Sequence, residues 1–333
     1  MAARHIVVVG GNGFVGSAIC KSALTKGFEV SSISSSGRPY TTPKGHSPAW
    51  TSRVKWHSAN ALQPESYAHI LASASGVVHT IGTLFEGAGY KDAMRRGNAV
   101  EMMSSLLGRG GTGNPLEKGA REGSYGVMNR DTALRVCETF VGSQQQPLTS
   151  EGAQPTKPFV YVSAEDIFRP FVPAGYIESK RDAEAQISRI LVEKPGAFRP
   201  VFIRPGLIYH AHLRPILSPA AALLGLSASV HAALPRSFPT PANVLRSLGQ
   251  GLHGPRSSPL NPGANTDIGS PLESLADLLT IPPIHVEHVA EAAVVALEPG
   301  REEVQGVYGV RGMRELIGWE ARTGEDQAEV VQH

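Results

Sequence analysis

The fold of this chain is decided by the stretch Val7-Val8-Val9-Gly10-Gly11-Asn12-Gly13-Phe14-Val15-Gly16. An apolar strand runs into glycines at positions 10, 13 and 16, and a helical pattern follows. This order presents backbone N–H groups and a helix N-terminus to a pyrophosphate, and glycines permit the tight turn and the close approach. The stretch therefore predicts a dinucleotide site with the contacting residues Gly10, Asn12, Gly13, Phe14, Val15 and Gly16.

Length and composition set wide bounds on the function. With 333 residues, 41% of them hydrophobic, the chain can build one large domain or two. Its formal net charge of +2 gives no reason to expect a nucleic-acid partner. Cys20 and Cys137 form no C-x-x-C pair, so we expect two buried thiols and no metal site. A signal peptide is not evident before the first strand, which by itself favours the cytosol.

Strand and helix patterns alternate over the first 210 residues. This alternation predicts an α/β fold with a Rossmann-like, doubly wound parallel sheet. We assign residues 1–210 to a dinucleotide-binding core and residues 211–333 to a smaller, partly irregular lobe integrated with it. The expected strands are 5–9, 28–33, 54–57, 77–81, 159–162 and 201–203, and the expected helices are 14–26, 63–72, 129–141 and 177–192.

Other stretches break this pattern. We expect loops or poor order over 84–124 (apart from a short helix at 90–94), 144–157, 236–271 and the tail after residue 319. The longest apolar stretch, residues 216–234, contains proline, glycine and serines and is too polar to span a membrane. Two readings remain open for it: a helix in the core, or a helix on a membrane surface.

The sequence after the second strand predicts the type of cofactor. NAD enzymes place a carboxylate there to bind the ribose 2′-hydroxyl. This chain has Ser31-Ser32-Ile33-Ser34-Ser35-Ser36-Gly37-Arg38 instead. Hydroxyls and a guanidinium suit a 2′-phosphate, so we interpret Ser34, Ser36 and Arg38 as a clamp that selects NADP(H) over NAD. The alternative is a solvated serine-rich loop.

Further cofactor-lining residues follow the third and fourth strands. Asn60 ends the third strand, where a polar residue contacts the adenine. At the end of the fourth strand, where the chain passes the ribose, the predicted lining residues are His79, Thr80, Ile81 and Gly82. We interpret His79 as a packed, hydrogen-bonded lining residue and not as a catalyst.

The catalytic prediction rests on Tyr176 and Lys180, which form a Y-x-x-x-K pair. On a helix, positions i and i+4 share a face, so the phenol and the ammonium reach one site. An ammonium beside a phenol makes it a usable acid–base group at neutral pH, and the same lysine can hydrogen-bond the nicotinamide ribose. Tyr176 and Lys180 are therefore also predicted to contact the cofactor. Ser163, at the end of the fifth strand, is predicted to bind a substrate carbonyl oxygen, and Asn129 a proton-relay water.

Two alternatives limit that prediction. A second match, Tyr40 to Lys44, contains Pro43 in a loop after the second strand, and we reject it. In the other alternative, Tyr176 only packs and Lys180 only binds ribose, in an inactive protein that holds NADPH.

With these residues in place, the chain resembles the extended or atypical branch of the short-chain dehydrogenase superfamily. The resemblance covers about residues 5–210 and returns at Pro282-Pro283-Ile284-His285-Val286-Glu287-His288-Val289-Ala290. Ile203-Arg204-Pro205-Gly206 looks like the turn after strand six that passes the nicotinamide in this superfamily. This resemblance implies that Pro205 lines the cofactor site. We also predict Val162, at the end of strand five, as a cofactor-lining residue.

A closer likeness is to fungal mitochondrial proteins of the coenzyme Q synthesis complex, a group related to the NAD(P)-binding accessory subunit of complex I. It is carried by Gly11-Asn12-Gly13-Phe14-Val15-Gly16, Val77-Val78-His79-Thr80-Ile81-Gly82, Met128-Asn129-Arg130, Ser163-Ala164-Glu165-Asp166 and Pro173-Ala174-Gly175-Tyr176-Ile177-Glu178-Ser179-Lys180-Arg181. The likeness implies an NADP(H) binder of ubiquinone biosynthesis on the matrix side of the inner membrane. Its expected partners are a lipophilic quinone-type substrate and other proteins of that complex.

Three functions follow as hypotheses. The first is an NADP(H)-dependent oxidoreductase acting on a quinone-like or polyprenylated aromatic compound. The second is a non-catalytic, NADPH-stabilised assembly subunit of a membrane complex. The third is a cytosolic sugar-nucleotide epimerase or reductase, which the short N-terminus favours and the serine-rich clamp does not.

Overall fold

The structure is a computed structural model that describes residues 4–84, 125–144, 155–167, 169, 172–210, 217–235, 238–252 and 269–319. The strands are β1 (His5–Val9), β2 (Glu29–Ser34), β3 (Val54–Ser58), β4 (Gly76–His79), β5 (Lys157–Val162), β6 (Phe198–Ile203), β7 (Ile208–Tyr209), β8 (Ile284–His285) and β9 (Gly306–Tyr308). The α-helices are α1 (Phe14–Thr25), α2 (Ala68–Leu71), α3 (Thr132–Ser143), α4 (Ala174–Val192), α5 (Leu217–Ala233), α6 (Pro241–Leu252), α7 (Pro271–Thr280), α8 (Val286–Val295) and α9 (Val310–Leu316).

A parallel sheet organises the molecule. Its seven strands lie in the order β3-β2-β1-β4-β5-β6-β9, and β7 and β8 form a separate parallel pair. The chain reverses direction across the sheet between β1 and β4, which is where such folds bind ligands at the carboxyl ends of the strands. The predicted α/β, doubly wound, Rossmann-like class is confirmed.

Both faces of the sheet are covered, which explains the apolar runs in its central strands β1, β4 and β5. Ile6 and Val8 point into a core formed with α1, α8 and α9, while Val7 and Val9 point into a second core with α2, α3 and α4. Cys20 and Cys137 are free and buried. The expectation of two buried thiols is confirmed.

Several boundaries differ from the predicted ones for local reasons. Strand β4 ends at His79, and Thr80 folds back to donate its backbone N–H and its hydroxyl to Val9 O. Helix α4 begins at Ala174, directly after Pro173, so Tyr176 lies inside its first turn. Asn129 does not open an α-helix but lies within a π-helical turn at Gly126–Asp131 that leads into α3. The predicted helix 63–72 is a 3₁₀ turn at Pro64–Ser66 followed by the short α2.

The expectation of poor order over 236–271 is wrong where the structure describes that stretch. Residues 241–252 form α6, and α7 begins at Pro271 behind a capping box in which Ser270 and Glu273 each bind the other's backbone N–H. The remaining irregular stretches that we predicted, including the helix at 90–94, lie largely outside the described residues: 85–124, 145–154, 253–268 and the tail from 320.

Elements beyond residue 210 return to the sheet. Strand β9 pairs with β6 in parallel, and α8 packs against α1. The division into residues 1–210 and 211–333 stays a prediction. No helix among the described residues combines the length and the apolar character that crossing a membrane requires.

Candidate functional site

The glycine turn between β1 and α1 has the geometry of a phosphate cradle. Gly10 has a positive φ of 88° and donates its N–H to Ile33 O at 2.7 Å. A Cβ on Gly16 would overlap Gly10 O, so helix and turn approach as closely as only glycine allows. A Cβ on Gly13 would meet Gly10 O at 3.2 Å and nothing else within 4 Å, so this side of the turn is open. Because no acidic residue stands in the first turn of α1, the helix N-terminus suits a pyrophosphate.

The loop after β2 is tied to that turn. Asn12 Nδ2 donates to Ser36 Oγ at 3.0 Å, and Ser36 Oγ also accepts the Arg38 N–H at 3.3 Å. The side chains of Ser36 and Arg38 are exposed. Ser34 is buried, and its hydroxyl accepts the Gly37 N–H at 3.2 Å. Of the three residues in the predicted clamp, Ser36 and Arg38 are exposed to solvent, whereas Ser34 is buried and stabilises the turn at Gly37.

Two predicted lining residues also organise their own loops. Asn60 Oδ1 accepts the Leu62 N–H at 3.0 Å, which fixes the chain after β3. Thr80 Oγ1 would lie 2.6 Å from a Cβ on Gly10, so the chain after β4 presses on the glycine turn. Ile81 lies against the same turn, and Phe14 and Val15 are half-buried at the start of α1.

Lys180 is a buried ammonium at the carboxyl end of the sheet. It is 3% exposed, and its Nζ donates to Val162 O at 2.9 Å and lies 4.6 Å from the centre of the Tyr161 ring. A Cβ on Gly82 would lie 2.9 Å from the same Nζ. Burial lowers the pKa of Lys180 to about 7, partly offset by Glu184. A lysine that gains or loses its proton near neutral pH is a functional-site candidate.

Asn129 connects the elements around Lys180. Its side chain accepts the Thr83 N–H at 2.8 Å and donates to Ser179 Oγ at 3.0 Å, and its backbone oxygen accepts the Tyr161 hydroxyl at 2.6 Å. The residue is fully buried in the π-helical turn, a distortion that is frequent at functional sites. Asn129 thus holds the chain after β4, strand β5 and helix α4 in one arrangement.

His79 departs from our interpretation. It is packed, with its ring centre 5.7 Å from that of Tyr161, but within the described residues neither of its ring nitrogens has a hydrogen-bond partner. Burial, assisted by the charge of Lys180, lowers the pKa of His79 to about 3. The histidine is therefore neutral at physiological pH, and the expected hydrogen bond is missing.

Tyr176 lies in the first turn of α4, and Ser163 directly follows β5. Tyr176 is half-buried one turn before Lys180, and its ring packs edge-on against Tyr125 with centres 6.3 Å apart. Ser163 is 3% exposed, and its hydroxyl accepts a hydrogen bond from Arg181 at 3.3 Å. Glu184 pairs with Arg181 at 3.0 Å and also with Arg204. The hydroxyl of Ser163 is therefore held by Arg181, whose guanidinium is itself paired with Glu184.

Pro205 lies at the turn after β6, where its carbonyl accepts the Glu165 N–H at 2.9 Å. Burial raises the pKa of Glu165, against the lowering effect of Arg181 and Arg204. Pro205 thus lies in the loop that follows β6, next to the loop that follows β5, and its contact with a cofactor stays a prediction.

Sequence reasoning missed Tyr161. We interpreted residues 159–162 as a plain apolar strand. The Tyr161 ring nevertheless lies against the ammonium of Lys180, and its hydroxyl donates a hydrogen bond to the backbone oxygen of Asn129. Burial raises the pKa of Tyr161 well above its ordinary value, so the phenol stays a hydrogen-bond donor. A hydroxyl-bearing side chain in an otherwise apolar buried strand was the available signal.

Comparison with known proteins identifies the fold family. The model of the NAD dependent epimerase/dehydratase family matches residues 6–106, which implies a nicotinamide nucleotide as the class of cofactor. A crystal structure of an oxidoreductase of the short chain dehydrogenase/reductase family from Burkholderia thailandensis covers 93% of this chain and 92% of its own, with a TM-score of 0.53 at 11% identity. Aldohexose dehydrogenase of Thermoplasma acidophilum matches with a TM-score of 0.52 at 13% identity, over 92% of each chain.

Two curated proteins are similar in sequence. MIOREX complex component 2 of Saccharomyces cerevisiae is 35% identical over 211 residues, which cover 62% of this chain and 73% of that protein. An uncharacterized chloroplastic protein of Arabidopsis thaliana is 30% identical over 208 residues, 62% of this chain and about half (51%) of that protein. The chain therefore belongs to the family of MIOREX complex component 2 and has the fold of the short-chain dehydrogenases.

Proposed function

We propose that this protein is an NADP(H)-dependent oxidoreductase of ubiquinone biosynthesis that acts on a quinone-like or polyprenylated aromatic compound. The observation that carries the proposal is Lys180. Its ammonium is buried beside the backbone of Gly82 and one helical turn from Tyr176, with a pKa of about 7. An acid–base group placed at the carboxyl ends of β4 and β5 is what carbonyl chemistry in this fold requires.

The roles of the chain's own residues follow from their positions. The open glycine turn at Gly13 and the N-terminus of α1 would hold the pyrophosphate, and Ser36 and Arg38 the 2′-phosphate. When bound, NADPH supplies a hydride to the substrate. Tyr176 then gives its hydroxyl proton to the substrate oxygen, and Lys180 stabilises the resulting phenolate. Ser163, held by Arg181, orients that oxygen.

The substrate class and the cellular location are proposed from resemblance. The likeness to coenzyme Q synthesis proteins supports a quinone-type substrate. Similarity to a component of the yeast MIOREX complex supports a mitochondrial location and protein partners. We place the protein on the matrix side of the inner membrane.

Substitution of Tyr176 by Phe tests the catalytic role. NADPH oxidation with a short-chain benzoquinone as the probe should fall by roughly a hundredfold or more, because the proton donor is lost. NADPH affinity, measured by calorimetry, should stay within about twofold, since the phenol is not a phosphate ligand. Val307→Phe, which changes a 50% exposed residue of β9, is the control and should change neither quantity. Unchanged turnover in Tyr176→Phe would refute the assignment.

Arg38→Ala tests cofactor choice. Loss of a charge-assisted contact should weaken NADPH binding about tenfold or more and leave NADH binding unchanged. Exposed Arg53 provides the control, since Arg53→Ala removes the same charge from the 3₁₀ turn Ala49–Arg53 before β3. Tighter binding of NADH than of NADPH by the unmodified protein would refute the 2′-phosphate clamp.

The second candidate is a non-catalytic, NADPH-stabilised subunit, which similarity to a complex component favours. In this case Tyr176→Phe is silent in cells, whereas Gly13→Val, which places a branched side chain in the open turn, removes the protein from its complex. A Tyr176→Phe strain that assembles normally but makes no ubiquinone would exclude this candidate.

A further inference from the structure

Arg181, which follows Lys180 in α4, has hydrogen-bond donors that the proposed mechanism does not use. Its side chain is 13% exposed, and its Nη1 donates to Ser163 Oγ at 3.3 Å and to Glu184 Oε1 at 3.0 Å. Within the described part of the chain, its Nε and Nη2 have no hydrogen-bond partner, and neither atom is enclosed. Two donors of Arg181 are therefore open next to the proposed substrate-binding serine.

The carboxylate that pairs with Arg181 is shared with a second arginine. Arg204 donates to both oxygens of Glu184, from Nε to Oε1 at 3.0 Å and from Nη2 to Oε2. Arg181 has a single bond to the same carboxylate. One negative charge thus serves two guanidinium groups, and Arg204 makes the stronger, bidentate contact.

A second arginine near this site binds its carboxylate in the same way as Arg204. Arg169 donates from Nε and Nη2 to the two oxygens of Asp166, at 2.7 and 2.6 Å. In Arg169 and Arg204 the edge of the guanidinium formed by Nε and Nη2 therefore holds a carboxylate. In Arg181 the same edge is open.

Glu165 is the remaining carboxylate after β5, and it does not fill this edge. Its Oε1 lies against Gly309, the residue directly before α9. Among the described residues, Glu165 forms neither a hydrogen bond nor an ion pair with Arg181. The chain therefore supplies Arg181 with no carboxylate of its own besides the shared Glu184.

We propose that the substrate carries a carboxylate, which Arg181 binds through Nε and Nη2 beside the oxygen that Ser163 orients. A planar guanidinium edge matches the two oxygens of a carboxylate, and contact with an anion offsets the cost of keeping the cation half-buried. The inference rests on the proposed function for the position of the reacting oxygen. It narrows the proposed aromatic substrate to a carboxylic acid.

Calorimetry with benzoate and benzamide tests the proposal, because the two probes share a ring and differ in charge. In the presence of NADP⁺, the unmodified protein should bind benzoate at least about tenfold more tightly than benzamide. Arg181→Gln should bind the two probes equally. Arg181→Lys keeps the charge and loses the planar edge, so it should retain a smaller preference for benzoate.

Arg189→Gln is the matched control, because it removes the same charge from an exposed position of the same helix. It should bind both probes like the unmodified protein. The affinity for NADP⁺ is measured on every variant and should stay within about twofold, which shows that the nucleotide site is intact.

Three results would overturn the proposal. The first is that the unmodified protein does not bind benzoate or binds it no more tightly than benzamide, and the second is that Arg181→Gln keeps the preference for benzoate. The third is a loss of NADP⁺ affinity in Arg181→Gln as large as the loss of benzoate affinity, which would assign Arg181 to the cofactor.

The binding measurement separates this proposal from the proposed function, because it requires no turnover. A preference for benzoate that depends on Arg181, in a protein that reduces no quinone, would refute the oxidoreductase and leave the carboxylate site standing. Quinone reduction without any preference for benzoate would refute the carboxylate site alone.

Discussion

Small residues have different roles in the glycine turn and in the helix pair α5 and α6. At the turn, Gly16 allows the helix to press against Gly10 O, and the polar groups nearby are held by contacts within the chain. In the α5–α6 pair, alanines and a glycine face inward while Leu223 and Leu226 face outward. The comparison separates a region in which close backbone packing requires glycine from one in which small residues face inward and large apolar side chains remain exposed.

The largest expected effect on stability is in the glycine turn. Gly16→Ala places a Cβ on Gly10 O, which is backbone and cannot move aside. We expect it to lower the free energy of unfolding by about 3 kcal/mol, at the upper end for overpacking. Urea denaturation measures the change.

The matched control is Gly142→Ala, because a Cβ there meets nothing within 4 Å and the residue lies in α3. That substitution should stabilise the protein by up to about 1 kcal/mol through helix propensity. Equal effects at the two glycines would mean that the turn is less tightly packed than the structure shows.

The next effect concerns the buried ammonium. Burial lowers the pKa of Lys180 to about 7 from an ordinary value of 10.5. Between these values the unfolded chain holds a proton at Lys180 that the folded chain has released. The contribution of Lys180 to stability therefore rises with pH across this window, by at most about 1.4 kcal/mol per pH unit.

Lys180→Met should remove that rise and should be no less stable than the unmodified protein at pH 7, because the methionine side chain needs no hydration. Urea denaturation of both proteins at neutral and alkaline pH gives the difference, in which all other titrating groups cancel. Parallel pH profiles of the two proteins would contradict the assigned pKa.

A smaller effect is expected at His79, on the acid side. Its pKa is lowered to about 3 by burial, so as pH falls below 6.5 the unfolded chain gains a proton that the folded chain refuses. Stability is therefore lost on acidification, and His79→Leu should reduce that loss. At pH 7 the same variant should change stability by about 1 kcal/mol or less, since both ring nitrogens lack partners among the described residues. Thermal unfolding at pH 5 and pH 7 checks both statements.

The sequence predicted the elements whose pattern is local. Glycines at fixed spacing after an apolar strand specify a turn, and the alternation of strands and helices specifies a parallel sheet. The pairing of Tyr176 with Lys180 on one face of α4 was likewise readable, because helical spacing alone determines it.

Features that depend on contacts between residues far apart in the chain could not be predicted from the sequence. The Lys180–Tyr161 contact joins α4 to β5, and the Asn129–Thr83 bond joins residues 46 positions apart. The missing partner of His79 also depends on what surrounds it in three dimensions. In α6, the composition rich in Pro, Gly and Ser suggested poor order, but packing against α7 outweighs weak helix propensity.

The smallest expected effect is at Leu223 and Leu226, the exposed leucines of α5. In the absence of membrane, Leu223→Gln/Leu226→Gln should change the free energy of unfolding by no more than about 0.5 kcal/mol, because both side chains already contact water in the folded chain. Urea denaturation in lipid-free buffer measures it. A loss of about 2 kcal/mol or more would show that these leucines are buried within the folded chain, since only buried apolar area resists a polar replacement so strongly. Contacts within the chain would then specify both regions.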